Sequence, residues 1–210
     1  MIRLTFATLL AAAPLPAQVS WSAQLATGSA YSAPMTLAVR QAGAPELRVR
    51  ARYSTRPFRD APYYAYRFAR WASRGDGARA QAWELELVHH KIYLENPPAE
   101  VQHFEVSHGY NLVTVNRAAR HAARTWRAGA GAVVSHGEST VRGRTLQPVH
   151  YHLAGPALQL AADHRTTLGA RLYLSLEGKL TAALARVPIA GGLATAPNVA
   201  VHGLVGIGVR

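Results

Sequence analysis

From Ala170 to Ala183 the chain alternates with a period of two: Leu172, Leu174, Leu176, Gly178, Leu180 and Ala182 fall on one face, and Arg171, Tyr173, Ser175, Glu177, Lys179 and Thr181 on the other. Successive side chains of a β-strand point to opposite sides, so the pattern predicts a strand with one apolar and one polar face. Similar alternation runs over Ser20 to Ala30, Glu46 to Ser54, Pro62 to Ala72, Ala80 to Leu94, Val101 to Val115, Ala122 to Val134, Val149 to Ala162 and Ala196 to Val209, and Met35 to Arg40 reads as a further short segment. Helical spacing is nowhere sustained. Turn-forming stretches separate the segments, among them Gln41-Ala42-Gly43-Ala44-Pro45, Arg74-Gly75-Asp76-Gly77 and Glu95-Asn96-Pro97-Pro98. The expectation is a single all-β domain over residues 18–210, with no repeat and no low-complexity linker to divide it.

Two architectures fit such strands. A soluble sandwich or lipid-binding barrel turns the leucine face inward, whereas a membrane barrel turns it to lipid and sends the charges into the lumen. No run of 18 apolar residues offers a transmembrane helix. The segments approach or exceed the ~9–11 residues a strand needs to cross a bilayer. Tyr63, Tyr64, Tyr66, Phe68 and Trp71 gather near a strand end, as interfacial aromatic belts do. We therefore expect a closed antiparallel up-and-down transmembrane β-barrel of eight strands, with ten as the alternative because single-chain barrels use even numbers. A soluble periplasmic lipid-binding barrel is the competing expectation.

The start of the chain supports export. Met1-Ile2-Arg3 is a positive tip, Leu4 to Leu15 a short apolar stretch, and Ala17 a small exit residue, which reads as a signal peptide over residues 1–17. The reading implies the outer membrane of a Gram-negative bacterium, reached through the barrel-assembly machinery. Export would permit disulfides, yet the chain has no cysteine, so packing and strand pairing must hold it, and thiolate chemistry is excluded. A net charge of +12, from 23 Lys+Arg against 11 Asp+Glu, favours an anionic neighbour. For an exported protein this points to lipopolysaccharide phosphate, which arginine can grip with two parallel hydrogen bonds. Nucleic acid is not expected, because aromatic-basic recognition motifs are missing.

Chemistry-bearing residues concentrate between Trp83 and Asn116, two strands joined at Pro97-Pro98. Trp83, Leu85, Leu87 and His89 oppose Glu84, Glu86 and His90; Phe104, Val106, His108, Tyr110 and Leu112 oppose His103, Glu105, Ser107 and Asn111. With the apolar rows on lipid, the polar rows enter the lumen. There Glu84, Glu86, Glu105, Glu177 and Asn111 would meet Arg171, Tyr173 and Lys179 in a buried polar network filling a narrow barrel. His108, on the lipid-side row, would belong to the interfacial belt or act on lipid headgroups.

At the level of architecture the chain resembles the small bacterial outer-membrane barrels, a group that includes the OmpW-like proteins and the lipid A deacylases. Such barrels commonly end in an aromatic residue, whereas Val199, Val201, Gly203, Val205, Ile207 and Val209 alternate here toward a terminal Arg210. Glu105-Val106-Ser107-His108-Gly109-Tyr110-Asn111 resembles the deacylases' His-x-Ser-Asn stretch, with the order Ser-His in its place. The resemblance implies, as the alternative to a non-enzymatic surface protein, a lipid A esterase with a serine, histidine and glutamate. Because neighbouring strand residues face opposite ways, Ser107 would pair with His90 or His103 and with Glu105, and Ser139 is a second nucleophile choice. His136-x-Glu138 and His150-x-His152 each place two metal-ligand types on one strand face, but neither reaches three ligands, so no metal and no cofactor is expected. Gly203-x-x-Gly206-x-Gly208 has no helix after it and is not a nucleotide loop.

Overall fold

The computed structural model describes residues 18–59, 61–73 and 79–210; the proposed signal peptide over residues 1–17 and the turn over residues 74–77 lie outside them. Among the described residues there are thirteen strands and no helix long and apolar enough to cross a membrane, a test that says nothing of a β-barrel. The strands are β1 (Gln18–Ser32), β2 (Met35–Gln41), β3 (Leu47–Ala51), β4 (Tyr53–Ser54), β5 (Tyr64–Ser73), β6 (Arg79–Leu94), β7 (Val101–His121), β8 (Arg124–Ser135), β9 (Glu138–Val141), β10 (Arg144–Thr145), β11 (His152–Thr167), β12 (Leu172–Ile189) and β13 (Gly192–Val209).

Eight of them, β1, β5, β6, β7, β8, β11, β12 and β13, pair antiparallel in that order, and β13 returns to β1 with Ala23 opposite Val209 and Ser32 opposite Ala200. The sheet is thus a closed up-and-down barrel, which leaves the ring without an edge. Its strand number is the expected eight. The segments over Met35 to Arg40 and Glu46 to Ser54, which looked like ring strands, are instead β2 to β4, an extension outside the ring: β2 pairs the start of β13, β3 pairs β2, and β4 pairs the end of β6. β9 and β10, which no alternation announced, extend β7 in the same way.

The barrel has two unlike ends. At one, β1 begins and β13 ends beside the short turn at Ala122-Ala123 and the turn between β11 and β12; at the other, the strands run on into the β2–β3 and β9–β10 excursions. That loop end carries an apolar core in which Leu37, Val39, Ile92, Val101, Phe104, Val106, Val141, Val187 and Ile189 are buried. Each large apolar side chain removed from water contributes about 1.5–3 kcal/mol, so this core holds the extensions over the barrel mouth.

Within the ring the leucine faces point outward. Leu172, Leu174, Leu176, Leu180, Leu158, Leu160, Leu85, Val115, Val201, Val205 and Ile207 are exposed, while Tyr173, Ser175, Glu177, Lys179 and Thr181 are buried inside. An orientation that puts leucine out and charge in is the inverse of a soluble core. Trp21, Trp83 and Trp126, three of the four tryptophans, stand outward near the turn end. Tyr31, Tyr66 and Tyr151 stand outward toward the loop end. From Trp21 to Tyr31 along β1, a rise of ~3.3 Å per residue at a tilt near 40° spans roughly 25 Å, the height of the apolar band of a membrane barrel. Two members of the expected aromatic belt turn the other way: Tyr63 and Trp71 are buried in the interior, the tryptophan donating to Ser22 Oγ at 3.0 Å. Alternation is the reason, since Tyr64, Tyr66 and Phe68 take the outer positions of the same strand.

Candidate functional site

The interior holds the first polar assembly. Arg67 on β5 and Arg127 on β8 reach across the lumen from different walls and share the carboxylates between them. Arg127 bonds Glu84 Oε2 at 2.8 Å, Asp163 Oδ2 at 2.6 Å and Glu177 Oε2 at 2.9 Å. Arg67 bonds Glu86 Oε1 at 2.6 Å and Glu177 Oε2 at 2.7 Å. Lys179 Nζ reaches Glu86 and, at 3.3 Å, Glu177. Glu86 also accepts from Gln159 Nε2 at 2.6 Å and Asn116 Nδ2 at 3.2 Å, so that both of its oxygens are occupied. Counting Arg165, 3.4 Å from Asp163, the cluster sets Arg67, Arg127, Arg165 and Lys179 against Glu84, Glu86, Asp163 and Glu177, and the charges cancel. A neutral cluster can sit in a dry interior where an unbalanced one could not. Two glycines of β8 let the walls close on it: a Cβ at Gly129 would lie 1.7 Å from Asn116 Oδ1, and one at Gly131 1.9 Å from the Val113 carbonyl.

Toward the loop end lies a second buried layer. His202 is hydrogen-bonded through Nδ1 to the Tyr63 hydroxyl at 2.6 Å and through Nε2 to the Thr181 hydroxyl at 2.8 Å. His90 Nε2 lies 3.4 Å from Ser32 Oγ, which accepts from Asn198 at 2.9 Å. Ionic, imidazole and apolar layers follow one another along the axis, and an eight-stranded barrel is narrow enough for side chains to fill it.

Several residues expected in the lumen lie elsewhere. Arg171 is exposed in the turn between β11 and β12, where its carbonyl accepts from the Arg210 amide. Asn111 faces outward beside His89, whose Nδ1 lies 2.8 Å from its Oδ1. Its row inverts because Tyr110 and Leu112 point inward, buried in the apolar layer, with the Tyr110 hydroxyl donating to the Ala196 carbonyl at 3.0 Å. Alternation along β7 shows two faces without saying which is lumen, and here the interior takes the apolar one. Glu105 likewise sits on the outer side, away from the ionic cluster.

The second assembly forms on that outer side. His90 pairs with Tyr110 and Ile92 with Val106, so Ser107, His108 and Gly109 on β7 oppose the single residue Lys91 on β6. Surplus residues on one strand make a bulge, which bends the strand and re-aims its side chains. Gly109 adopts φ +134°, a value that side-chain-bearing residues rarely take. The bulge cancels the rule that neighbours face opposite ways, and Ser107 Oγ lies 3.2 Å from His108 Nδ1. Ser107 donates to Glu105 Oε1 at 2.6 Å; Glu105 Oε2 lies 3.3 Å from His103 Nε2; His108 Nδ1 lies 3.0 Å from Glu138 Oε1. His136 stacks edge-on against His108, with ring centres 5.4 Å apart, and Tyr151 lies beyond it.

A serine relay needs the hydroxyl on one imidazole nitrogen and the orienting carboxylate on the other. Here Ser107 and Glu138 meet the same nitrogen of His108, and the Ser107 proton is directed at a carboxylate. Of the partners expected for Ser107, Glu105 reaches it but the histidines do not: His90 is in the lumen on the other side of the wall, and His103 meets Glu105 instead. Ser139 is buried and its hydroxyl has no hydrogen-bond partner. His150 and His152 are not drawn into either assembly, whereas His136 and Glu138 join His108.

No family model matches the chain, and no curated protein does either. Among solved structures it is similar to Neisserial surface protein A, at 8% identity and a TM-score of 0.42, over 92% of this chain and 99% of that one. It is also similar to the outer membrane protein OprG from Pseudomonas aeruginosa, at 10% identity and a TM-score of 0.39, over 90% and 94% of the two chains.

Proposed function

We propose that the chain is an outer-membrane β-barrel with a filled lumen, acting as a non-enzymatic surface protein among anionic lipopolysaccharide. The observation that carries this reading is the inversion of the ring: exposed leucine and valine rows between tryptophans and tyrosines, around a charge-balanced interior. In water such rows would leave a broad apolar girdle uncovered, whereas lipid covers it without cost. The ionic layer spans the interior between walls, which supports a filled lumen over a general pore. Membrane barrels join strands by short turns on the periplasmic side and longer loops outside. By that rule the extended loop end faces the cell exterior, where exposed Arg50, Arg52 and Arg186 would meet lipopolysaccharide phosphate.

Leu180→Arg tests insertion directly. Leu180 sits near mid-height of the outer face, opposite Leu160 and Val201 on its neighbours. An arginine at the bilayer midplane costs about 2–4 kcal/mol, so urea-driven folding into lipid vesicles should weaken by that amount. A surface arginine on a soluble barrel would leave stability within about 0.5 kcal/mol, and that result would refute insertion. Lipopolysaccharide recognition is measured separately, by binding of the detergent-solubilised protein to lipopolysaccharide against neutral phospholipid. Equal binding to the two would remove the headgroup part of the proposal.

A further inference from the structure

We infer that the outer-side assembly is a binding site for a divalent transition-metal ion, held by His108, His136 and Glu138. The ligand atoms of these three residues lie within 4.8 Å of one another. The 3.0 Å between His108 Nδ1 and Glu138 Oε1 is close to the ~3.4 Å that separates two donors each ~2.1 Å from a tetrahedral ion. Two imidazoles and a carboxylate form a ligand set suited to zinc, copper or nickel, with one position left for water. Glu105 and His103 form a neighbouring group that shares Glu138 and could supply a further ligand.

Three independent observations favour an ion over a chance cluster. His136 Nδ1 is buried and has no hydrogen-bond partner, an expensive state for an imidazole nitrogen that metal coordination would relieve. Charge points the same way. In a chain with 23 Lys+Arg, the ion pairs of Glu105 and Glu138 among the described residues are with histidines, while the other ion-paired carboxylates described meet arginine or lysine. Among the described residues these carboxylates are therefore not ion-paired with arginine or lysine. Finally, backbone geometry brings the ligands together from two strands. The β7 bulge presents His108, the His136 amide donates to the Gly109 carbonyl at 3.0 Å, and β9 returns so that Glu138 faces Glu105. Gly137 permits that return, because a Cβ there would lie 2.3 Å from Val187 Cγ1. The site stands at the loop end, clear of the leucine rows, where an ion from the medium can reach it.

The test uses the untagged protein purified from membranes in detergent, titrated calorimetrically with Zn²⁺, with Ca²⁺ as the hard-cation control. We expect one Zn²⁺ per chain and no comparable Ca²⁺ binding. His108→Asn, His136→Asn and Glu138→Gln should each lower affinity at least about tenfold. His164→Asn, at the far end of the barrel, should leave it unchanged. Gel migration of unheated samples identifies any variant that has not folded. Cu²⁺ bound to the unsubstituted protein gives an independent reading, since two imidazoles produce nitrogen hyperfine splitting in its electron paramagnetic resonance spectrum. Absence of that splitting, or Zn²⁺ affinity in the folded His108 and His136 variants equal to that of His164→Asn, would overturn the assignment.

Discussion

Arg127→Met is the sharpest probe of the interior. The guanidinium is buried and bonds Glu84, Asp163 and Glu177 at 2.6–2.9 Å, so its loss leaves three cations facing four buried carboxylates. Removing one partner of a buried ion pair costs about 3–5 kcal/mol, much of it the penalty of stranding the opposite charge. The three carboxylates are not stranded equally. Glu177 keeps Arg67 at 2.7 Å and Lys179 at 3.3 Å, and Asp163 keeps Arg165 at 3.4 Å. Glu84 keeps only Arg67 Nε, at 3.8 Å, and its Oε1 has no partner even in the intact cluster. Glu84 should therefore carry most of the penalty, and Arg127→Met with Glu84→Gln should be more stable than Arg127→Met alone by at least about 1 kcal/mol. Equilibrium urea titrations of folding into detergent micelles, followed by tryptophan fluorescence and gel migration, measure both quantities. A single variant within about 0.5 kcal/mol of the unsubstituted protein would refute the view of a dry, charge-balanced lumen, because a water-filled one would screen the loss. A double variant weaker than the single one would refute the assignment of the penalty to Glu84.

Gly131→Ala should destabilise the barrel by about 1–3 kcal/mol in the same titration, since the new Cβ would meet the Val113 carbonyl 1.9 Å away and the backbone must shift. Glu95, in the turn between β6 and β7, accepts a hydrogen bond from Ser54 and pairs with Arg56 at 2.8 Å, and both hold its carboxyl below the ordinary range, the serine foremost. A folded value below the unfolded one means that its stabilising contribution is present above about pH 4.3 and is lost as pH falls through the folded value. Carboxyl nuclear magnetic resonance should find Glu95 titrating below free glutamate, and Ser54→Ala should raise its midpoint.

Alternation made the ring legible because every ring strand must separate lipid from lumen, and a period of two is what that separation demands. Glu177, Lys179 and Tyr173 could be assigned to the interior since Leu172, Leu174, Leu176 and Leu180 fill most of the opposite face of their strand. Arg67, Arg127 and Asp163 follow the same rule, each lying opposite exposed residues such as Phe68, Trp126 and Leu160, but their segments carry more alanine and glycine and so a weaker contrast. β7 misleads for a physical reason. Its loop half is apolar where the barrel holds a core and polar where it meets the outside, so its pattern there follows the cap and not the membrane, and Asn111 is read to the wrong side.

The outer-side assembly was hidden by the same rule that revealed the ring. Strict alternation sends Ser107 and His108 to opposite faces and leaves His136 and Glu138 a pair with no third ligand. Three residues opposite one, from Ser107 to Gly109 against Lys91, break the alternation at that point and join two fragments that the sequence separates by 28 positions, from His108 to His136. Gly109 was a visible signal, a glycine inside a strand-like run, which commonly marks a bulge. The bulge also makes the inferred metal site depend on backbone geometry as well as on ligand identity. A side chain at Gly109 is strained at φ +134° and would press on the Asn111 side chain, 2.0 Å from the added Cβ. Gly109→Val should therefore flatten the bulge and lower Zn²⁺ affinity although all three ligands remain. Full affinity in a folded Gly109→Val barrel would mean that the ligands converge without the bulge, and would separate the site from the geometry argued to build it.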